Sequence, residues 1–221
     1  MIGFIGGTGP EGRGLALRFA MAGKDVFIGS RNKERGESIA KELGQVVPSV
    51  ASKIHGGDNN EACAKAPEMV LITTPYDGQK ETLQGLKDLL KGKIVVNVIA
   101  PLKFEKGVGA IAINVAEGSA AQEAQSILKE SIVVGAFQNA SAEELLEPHK
   151  TADCDVVVCS DNRDARLKVM ALAQTIKGVR GVNGGALYNS KYVEDLTALL
   201  ININRIHKCH ASIKITGLPA S

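Results

Sequence analysis

The chain has 221 residues, a formal net charge of +2, 44% hydrophobic and 23% charged residues. That is ordinary globular composition, enough for one substantial core or a large domain with a small companion. Without a basic stripe, an acidic block or any tryptophan, the sequence argues against a nucleic-acid partner, and no apolar run approaches the ~20 residues of a membrane span.

Four cysteines (Cys63, Cys154, Cys159 and Cys209) are widely spaced and form no C-x-x-C pair. Met1 leads directly into an apolar strand pattern, with no charged leader. The expectation is a cytoplasmic protein with reduced thiols.

Strand and helix patterns alternate along the chain. Ile2 to Ile5 predicts a strand and Glu11 to Ala22 a helix stopped by Gly23. Val26 to Ile28 and Lys33 to Leu43 repeat the pair. Gln45 to Ile54 is ambiguous between a short strand and a loop. A short helix over Ala62 to Ala66 precedes a strand over Met69 to Thr73 and a helix over Gly78 to Leu90. Ile94 to Ile99 is almost continuously apolar, as a parallel strand covered on both faces must be. A helix over Ser119 to Lys129 and a strand over Ile132 to Phe137 follow. Beyond Asn139 come a strand at Val156 to Cys159, a helix at Arg163 to Ile176, a strand at Val179 to Val182 and a long apolar helix at Lys191 to Lys208. The fold class expected is α/β: a Rossmann-type, doubly wound, mainly parallel sheet with a small C-terminal α/β extension.

Gly7-Thr8-Gly9-Pro10-Glu11-Gly12 fits G-x-G-x-x-G, between the first predicted strand and its helix. Glycines let a pyrophosphate approach the backbone, and the free amides and positive dipole end of the helix face that anion. Pro10 is tolerated because a first-turn N–H has no intrahelical partner. NAD enzymes place an acid at the end of the second strand to bond the ribose 2′-OH. Here that strand ends in Gly29-Ser30-Arg31-Asn32-Lys33-Glu34-Arg35. A hydroxyl and two guanidiniums suit a 2′-phosphate, which a carboxylate would repel. The expected cofactor is NADP(H). Thr73-Thr74-Pro75-Tyr76 and Asn97-Val98-Ile99-Ala100-Pro101 end further strands at the same sheet edge, where packing and backbone contacts would hold the nicotinamide.

Ser141 and Glu144 form an S-x-x-E capping box after Gln138-Asn139-Ala140. The amides from Asn139 to Ala142 could stabilise charge on a second substrate, or they could simply open an ordinary capped helix. The residues Leu196, Leu199, Leu200, Ile203 and Ile206 recur at helical spacing, as core or as a dimer interface. His207 and His210 flank Cys209 near the last helix end, but no further ligand cluster accompanies them, so no metal is expected.

Gly6-Gly7-Thr8-Gly9-x-x-Gly12-x-Gly14, Gly29-Ser30-Arg31, Thr74-Pro75 and Leu187-x-Asn189-Ser190-Lys191-x-Val193-Glu194-x-Leu196-Thr197 together resemble the NADP-dependent reductases of the deazaflavin coenzyme F420. The resemblance spans nearly the whole chain. It implies a Rossmann domain with a small C-terminal part, a homodimer, and direct hydride exchange between NADP(H) and coenzyme F420. The corresponding organisation is an NADP-binding domain over residues 1–140 and a substrate or dimerisation region over 141–221. Carried over from the family, the phosphate contacts fall on Thr8, Gly9, Pro10, Glu11, Ser30, Arg31 and Arg35, beside Gly7 and Gly12 of the loop. The nicotinamide-side contacts fall on Thr74, Ala100 and Ala142, beside Pro75. Gln138 stands where relatives often carry His, Tyr76 where they carry Trp, and Pro10 where some carry Asn. No acid–base set is needed for hydride transfer by positioning. Gln138 and Asn139 are the candidates for stabilising the acceptor. Lys191 either meets the acidic tail of the deazaflavin or is solvated. The alternatives are reduction of a flavin or another acceptor by NADPH, and a non-enzymatic NADP-sensing module.

Overall fold

The computed structural model describes residues 1–218. The first β-α-β-α-β unit runs β1 (Ile2–Ile5), α1 (Pro10–Met21), β2 (Val26–Ser30), α2 (Lys33–Val46) and β3 (Ile54–Asp58), with a 3₁₀ turn over Pro48–Lys53 before β3. The second continues α3 (Asn59–Lys65), β4 (Met69–Ile72), α4 (Gln79–Leu90) and β5 (Ile94–Asn97). A hairpin of β6 (Leu102–Glu105) and β7 (Gly109–Ala112) leads to α5 (Ala120–Ile127), β8 (Ile132–Gly135) and the four-residue α6 (Ala142–Leu145). The chain closes with β9 (Cys154–Cys159), α7 (Arg163–Ala173), β10 (Val179–Gly185) and α8 (Ser190–His207).

The main sheet has the order β10-β9-β8-β5-β4-β1-β2-β3. All neighbours from β3 to β8 pair in parallel, the doubly wound order expected from the alternating pattern. β9 and β10 are parallel to each other, and β9 meets β8 in the antiparallel sense through Gly135 and Cys159. Thus the segment after residue 140 extends the same sheet.

Strand residues alternate between two cores, which is why these strands read as continuous apolar runs. Met69 and Leu71 join Leu15, Phe19, Leu43 and Val169 on the side of α1, α2 and α7. Val70 and Ile72 join Cys63, Leu83, Leu90 and Ala124 on the side of α3, α4 and α5. Phe19 packs between Phe4 and Phe137, its ring edge-on to Phe137 at 5.9 Å.

Two elements depart from the sequence expectation. The ambiguous stretch after α2 is a helix end, a 3₁₀ turn and the edge strand β3. The β6–β7 hairpin has no counterpart in the sequence pattern, because Lys103 and Glu105 interrupt any apolar run and one of its faces is exposed. It is clamped to α8 from outside: Asn202 exchanges two hydrogen bonds with the Ala110 backbone, and Arg205 donates to the Val108 carbonyl.

Candidate active site

The sheet reverses its winding between β1 and β4, and a groove of about 870 Å³ lies over that point. Ligands of open α/β sheets sit there, beyond the strand ends. The glycine loop forms its base. Gly9 caps α1 in extended conformation, Pro10 takes the first helical position, and α1 therefore opens with the unpaired amides of Glu11 and Gly12. The glycines divide the work. A Cβ on Gly12 would stand 2.6 Å from the Gly7 Cα, so the helix can reach the strand only if Gly12 has no side chain. A Cβ on Gly9 would meet nothing within 4 Å, so Gly9 faces open space in the groove.

Of the sequence candidates, Thr8, Gly9, Pro10, Glu11, Ser30, Arg31, Arg35, Thr74, Pro75 and Ala100 line this groove. Gly7 and Gly12 lie buried beneath it. Ser30 is nearly buried, and its Oγ accepts from the Asn32 amide at 3.2 Å, fixing the turn. The Asn32 carboxamide caps α2 by accepting from the Arg35 amide at 2.7 Å. Arg31 and Arg35 are exposed at the groove wall, and among the described residues neither guanidinium has a carboxylate partner. Asn59, which the sequence reading missed, holds the loop from beneath by accepting from the Gly6 amide at 3.0 Å. Its only sequence signal is its place at the start of a helix.

A second pocket, of about 530 Å³, adjoins the groove, and Glu11 lines both. Its remaining walls are the turn after β8, the inner side of α8 and the segment 208–211. Gln138 and Asn139 line it, as does Ala142, which the family resemblance places beside the nicotinamide. The turn is forced: Phe137 is fully buried with φ of 73°, a left-handed conformation costing a side-chain-bearing residue about 1–3 kcal/mol. Packing of its ring against Phe19 holds it there. Thr197 Oγ1 then donates to the Gln138 carbonyl at 3.0 Å, tying the turn to α8.

The predicted capping box is half formed. Ser141 Oγ accepts from the Glu144 amide at 3.4 Å, but the Glu144 side chain makes no return bond among the described residues. The helix it opens is only four residues long, and the Ala140 amide is taken by the Phe137 carbonyl at 2.9 Å. So short a helix supplies little dipole. Lys191 lines neither cavity; it pairs with Asp195 at 2.9 Å. Among the described residues there is no cluster of three or more metal-ligating side chains, and His210 pairs with Glu143 at 3.0 Å.

Two distant clasps hold the second pocket together. Arg18 of α1 is 4% exposed and donates to the carbonyls of Leu145, Lys150, Glu144 and Glu147. Burial pulls its guanidinium below the usual arginine range, partly offset by Glu144. Asp155 of β9 is fully buried and takes a two-pronged bond from Arg180. The Asp155 carboxylate also accepts from the Ile215 amide at 2.6 Å, fastening the C-terminal segment. The Arg180 guanidinium, assisted by the Ile215 amide, holds the Asp155 carboxyl below its ordinary range.

Two carboxyls are pushed the other way. Burial raises Glu11 to about 8. The residue keeps some exposed surface, but its Oε1 is enclosed without a partner, and that atom sets the direction. Burial raises Glu194 to about 7, although it accepts from the Ala120 and Ala121 amides at the start of α5. Glu194 thereby fixes α8 against α5, a role the sequence motif does not reveal.

A family profile described as NADP oxidoreductase, coenzyme F420-dependent, matches residues 1–101. The chain is 40% identical over 222 aligned residues to the F420-dependent NADP reductase of Methanothermobacter thermautotrophicus, covering 99% of this chain and 95% of the relative. It is 39% identical to the F420-dependent NADP reductase of Methanocaldococcus jannaschii, over 98% of each. A solved Arthrobacter structure, provisionally described as an F420-dependent NADP reductase, superposes with a TM-score of 0.79 at 24% identity, covering 94% of both chains. At about 40% identity with near-complete coverage of both chains, the chain belongs to the F420-dependent NADP reductase family.

Proposed function

We propose that the protein transfers a hydride between NADP(H) and the deazaflavin coenzyme F420, the nucleotide lying in the larger groove and the deazaflavin in the adjoining pocket. The observation that carries this is the adjacency of the two cavities across Glu11, one walled by Arg31 and Arg35 and the other by Gln138 and Asn139. In the reducing direction, a hydride passes from nicotinamide C4 to C5 of the deazaflavin and one proton from solvent reaches N1, which balances the reaction. The cofactors supply the chemistry; the protein brings the two carbons to about 3–3.5 Å and excludes water. Ser30, Arg31 and Arg35 are read as the 2′-phosphate site, the loop from Gly7 to Gly12 as the pyrophosphate site, and Thr74, Pro75, Ala100 and Ala142 as the nicotinamide side.

The region after residue 140 is read as the acceptor and dimerisation part. Tyr192, Leu199 and Ile206, seven apart on α8, are exposed, as are Phe104 and Val108 of the hairpin that α8 holds. That apolar face fits a homodimer. Among the described residues no helix is long and apolar enough to cross a membrane, and the described cysteines are free, which suits a cytoplasmic setting. Mixing protein, NADPH and oxidised F420 tests the reading: the visible absorbance of the deazaflavin should bleach, while FMN or NADH in its place leaves the signal nearly unchanged. Bleaching of FMN at an equal rate defeats the deazaflavin assignment.

A further inference from the structure

The second pocket has a floor of unusual polarity. Gln138 and Asn139 are 6% and 3% exposed. The Gln138 amide nitrogen donates to the Asn97 carbonyl at 3.2 Å, and that of Asn139 to the Asp155 carbonyl at 2.7 Å. A backbone carbonyl has no proton to give, so these bonds fix which end of each amide is consumed. Left over are Gln138 Oε1 and Asn139 Oδ1, both enclosed and both without a partner among the described residues. Glu11 Oε1 is a third such atom, and all three residues line the same cavity. Buried polar atoms are ordinarily satisfied, so two unmatched amide oxygens beside an unmatched carboxyl oxygen, on residues of one cavity, point to a ligand that donates.

These acceptors stand beside the backbone amides of the same turn. Of the amides from Asn139 to Ala142, that of Ala140 is taken by the Phe137 carbonyl at 2.9 Å, while both carboxamide nitrogens are spent on the protein itself. Burial leaves the Glu11 carboxyl largely neutral at pH 7, so it brings one carbonyl acceptor and one O–H donor without a fixed charge.

We infer that Gln138, Asn139 and Glu11 form an acceptor floor that recognises ring N–H groups, so that the protein holds the reduced deazaflavin more tightly than the oxidised one. This rests on the reading that the deazaflavin occupies this pocket. The pyrimidinedione edge of the oxidised ring presents one N–H, at N3. Reduction places a hydride on C5 and a proton on N1, so the reduced edge presents two. In the oxidised ring N1 is a lone pair, which a carbonyl oxygen repels. One side of the redox couple therefore gains a hydrogen bond that the other lacks, and Gln138 becomes a specificity residue for redox state.

The test is an anaerobic equilibrium titration of the full chain with oxidised and with reduced F420, without nucleotide. The reduced form should bind about tenfold more tightly, the effect of one well-made hydrogen bond. Gln138→Met keeps the volume, removes the acceptor and should bring the ratio to about threefold or less. Asn139→Leu serves as a second variant, and an unchanged Kd for NADP+ with an unchanged circular dichroism spectrum shows that each variant is folded. A wild-type ratio of one or below overturns the inference without any variant. So does a ratio that survives both substitutions in folded protein. Failure to bind either deazaflavin while NADP+ still binds removes the deazaflavin from this pocket, and the inference with it.

Discussion

The two cavities are built in contrasting ways. The groove over β1, β2 and β4 is made of strand-to-helix turns on neighbouring parallel strands, shaped by short bonds such as Asn32 to the Arg35 amide and braced from the next turn, as Asn59 braces the Gly6 amide. The second pocket gathers Glu11, the turn at 138–143, α8 and the segment 208–211. Those parts are held from afar, Arg18 reaching across to carbonyls of residues 144–150 and Asp155 to the amide of Ile215. The first cavity is thus specified by the turns of adjoining strands, and the second by charged clasps reaching in from outside it. A change in a clasp should be felt on one side only.

The largest effect is expected from replacing both Arg31 and Arg35 with Ala. Two charge-assisted bonds to the 2′-phosphate are worth about 100-fold or more in affinity. NADPH binding should fall by that factor while NADH binding holds, measured by fluorescence titration. An equal loss for both nucleotides breaks the assignment.

Arg18→Leu strikes the other cavity. It leaves four carbonyls without their donor and should cost about 2–4 kcal/mol in urea unfolding. In the protein that remains folded, KM for the deazaflavin should rise while Kd for NADPH changes little. If both rise together, the contrast between the cavities is lost.

A pair of glycine substitutions sharpens the picture within the first cavity. Gly12→Ala forces a Cβ against the Gly7 backbone and should lower stability by about 1–3 kcal/mol. Gly9→Ala has open space, so stability should stay within about 0.5 kcal/mol while nucleotide affinity drops. Thermal unfolding with and without NADP+ separates the two effects.

Glu11→Gln, at the wall the cavities share, is read as a slope against pH. The carboxyl is raised by burial from 4.5 in the unfolded chain to about 8 in the fold. Its protonated form therefore favours folding below 4.5, and that contribution is lost as pH rises through about 8. The glutamine variant lacks this slope, so its Tm should overtake the wild type progressively between those values and then run parallel. Parallel curves throughout would show that Glu11 ionises freely.

How much the sequence disclosed follows the same division. Ile2–Ile5 and Met69–Ile72 are marked by continuous apolar runs, and Gly7 to Gly12 by spacing between a strand and a helix. β3 escaped because Ile54–Asp58 contains two glycines. Those glycines are there for packing: a Cβ on Gly36 of α2 would come within 2.1 Å of the Gly57 carbonyl oxygen. Strand propensity was given up for close contact. The roles of Arg18 and Glu194 were not legible at all, since each depends on partners more than 70 residues away. Gln138 and Asn139 were found as positions, but their polarity depends on which end of each amide Asn97 and Asp155 consume.

The fastening of Ile215 by Asp155 bears on how the protein can be handled. Residues 208–211, which wall the second pocket, sit only a few positions ahead of that anchor. A label, affinity handle or protease cut placed just after Lys208 would tug on this wall and distort turnover with the second substrate, yet nucleotide uptake would look normal. Handles attached ahead of β1 avoid that artefact.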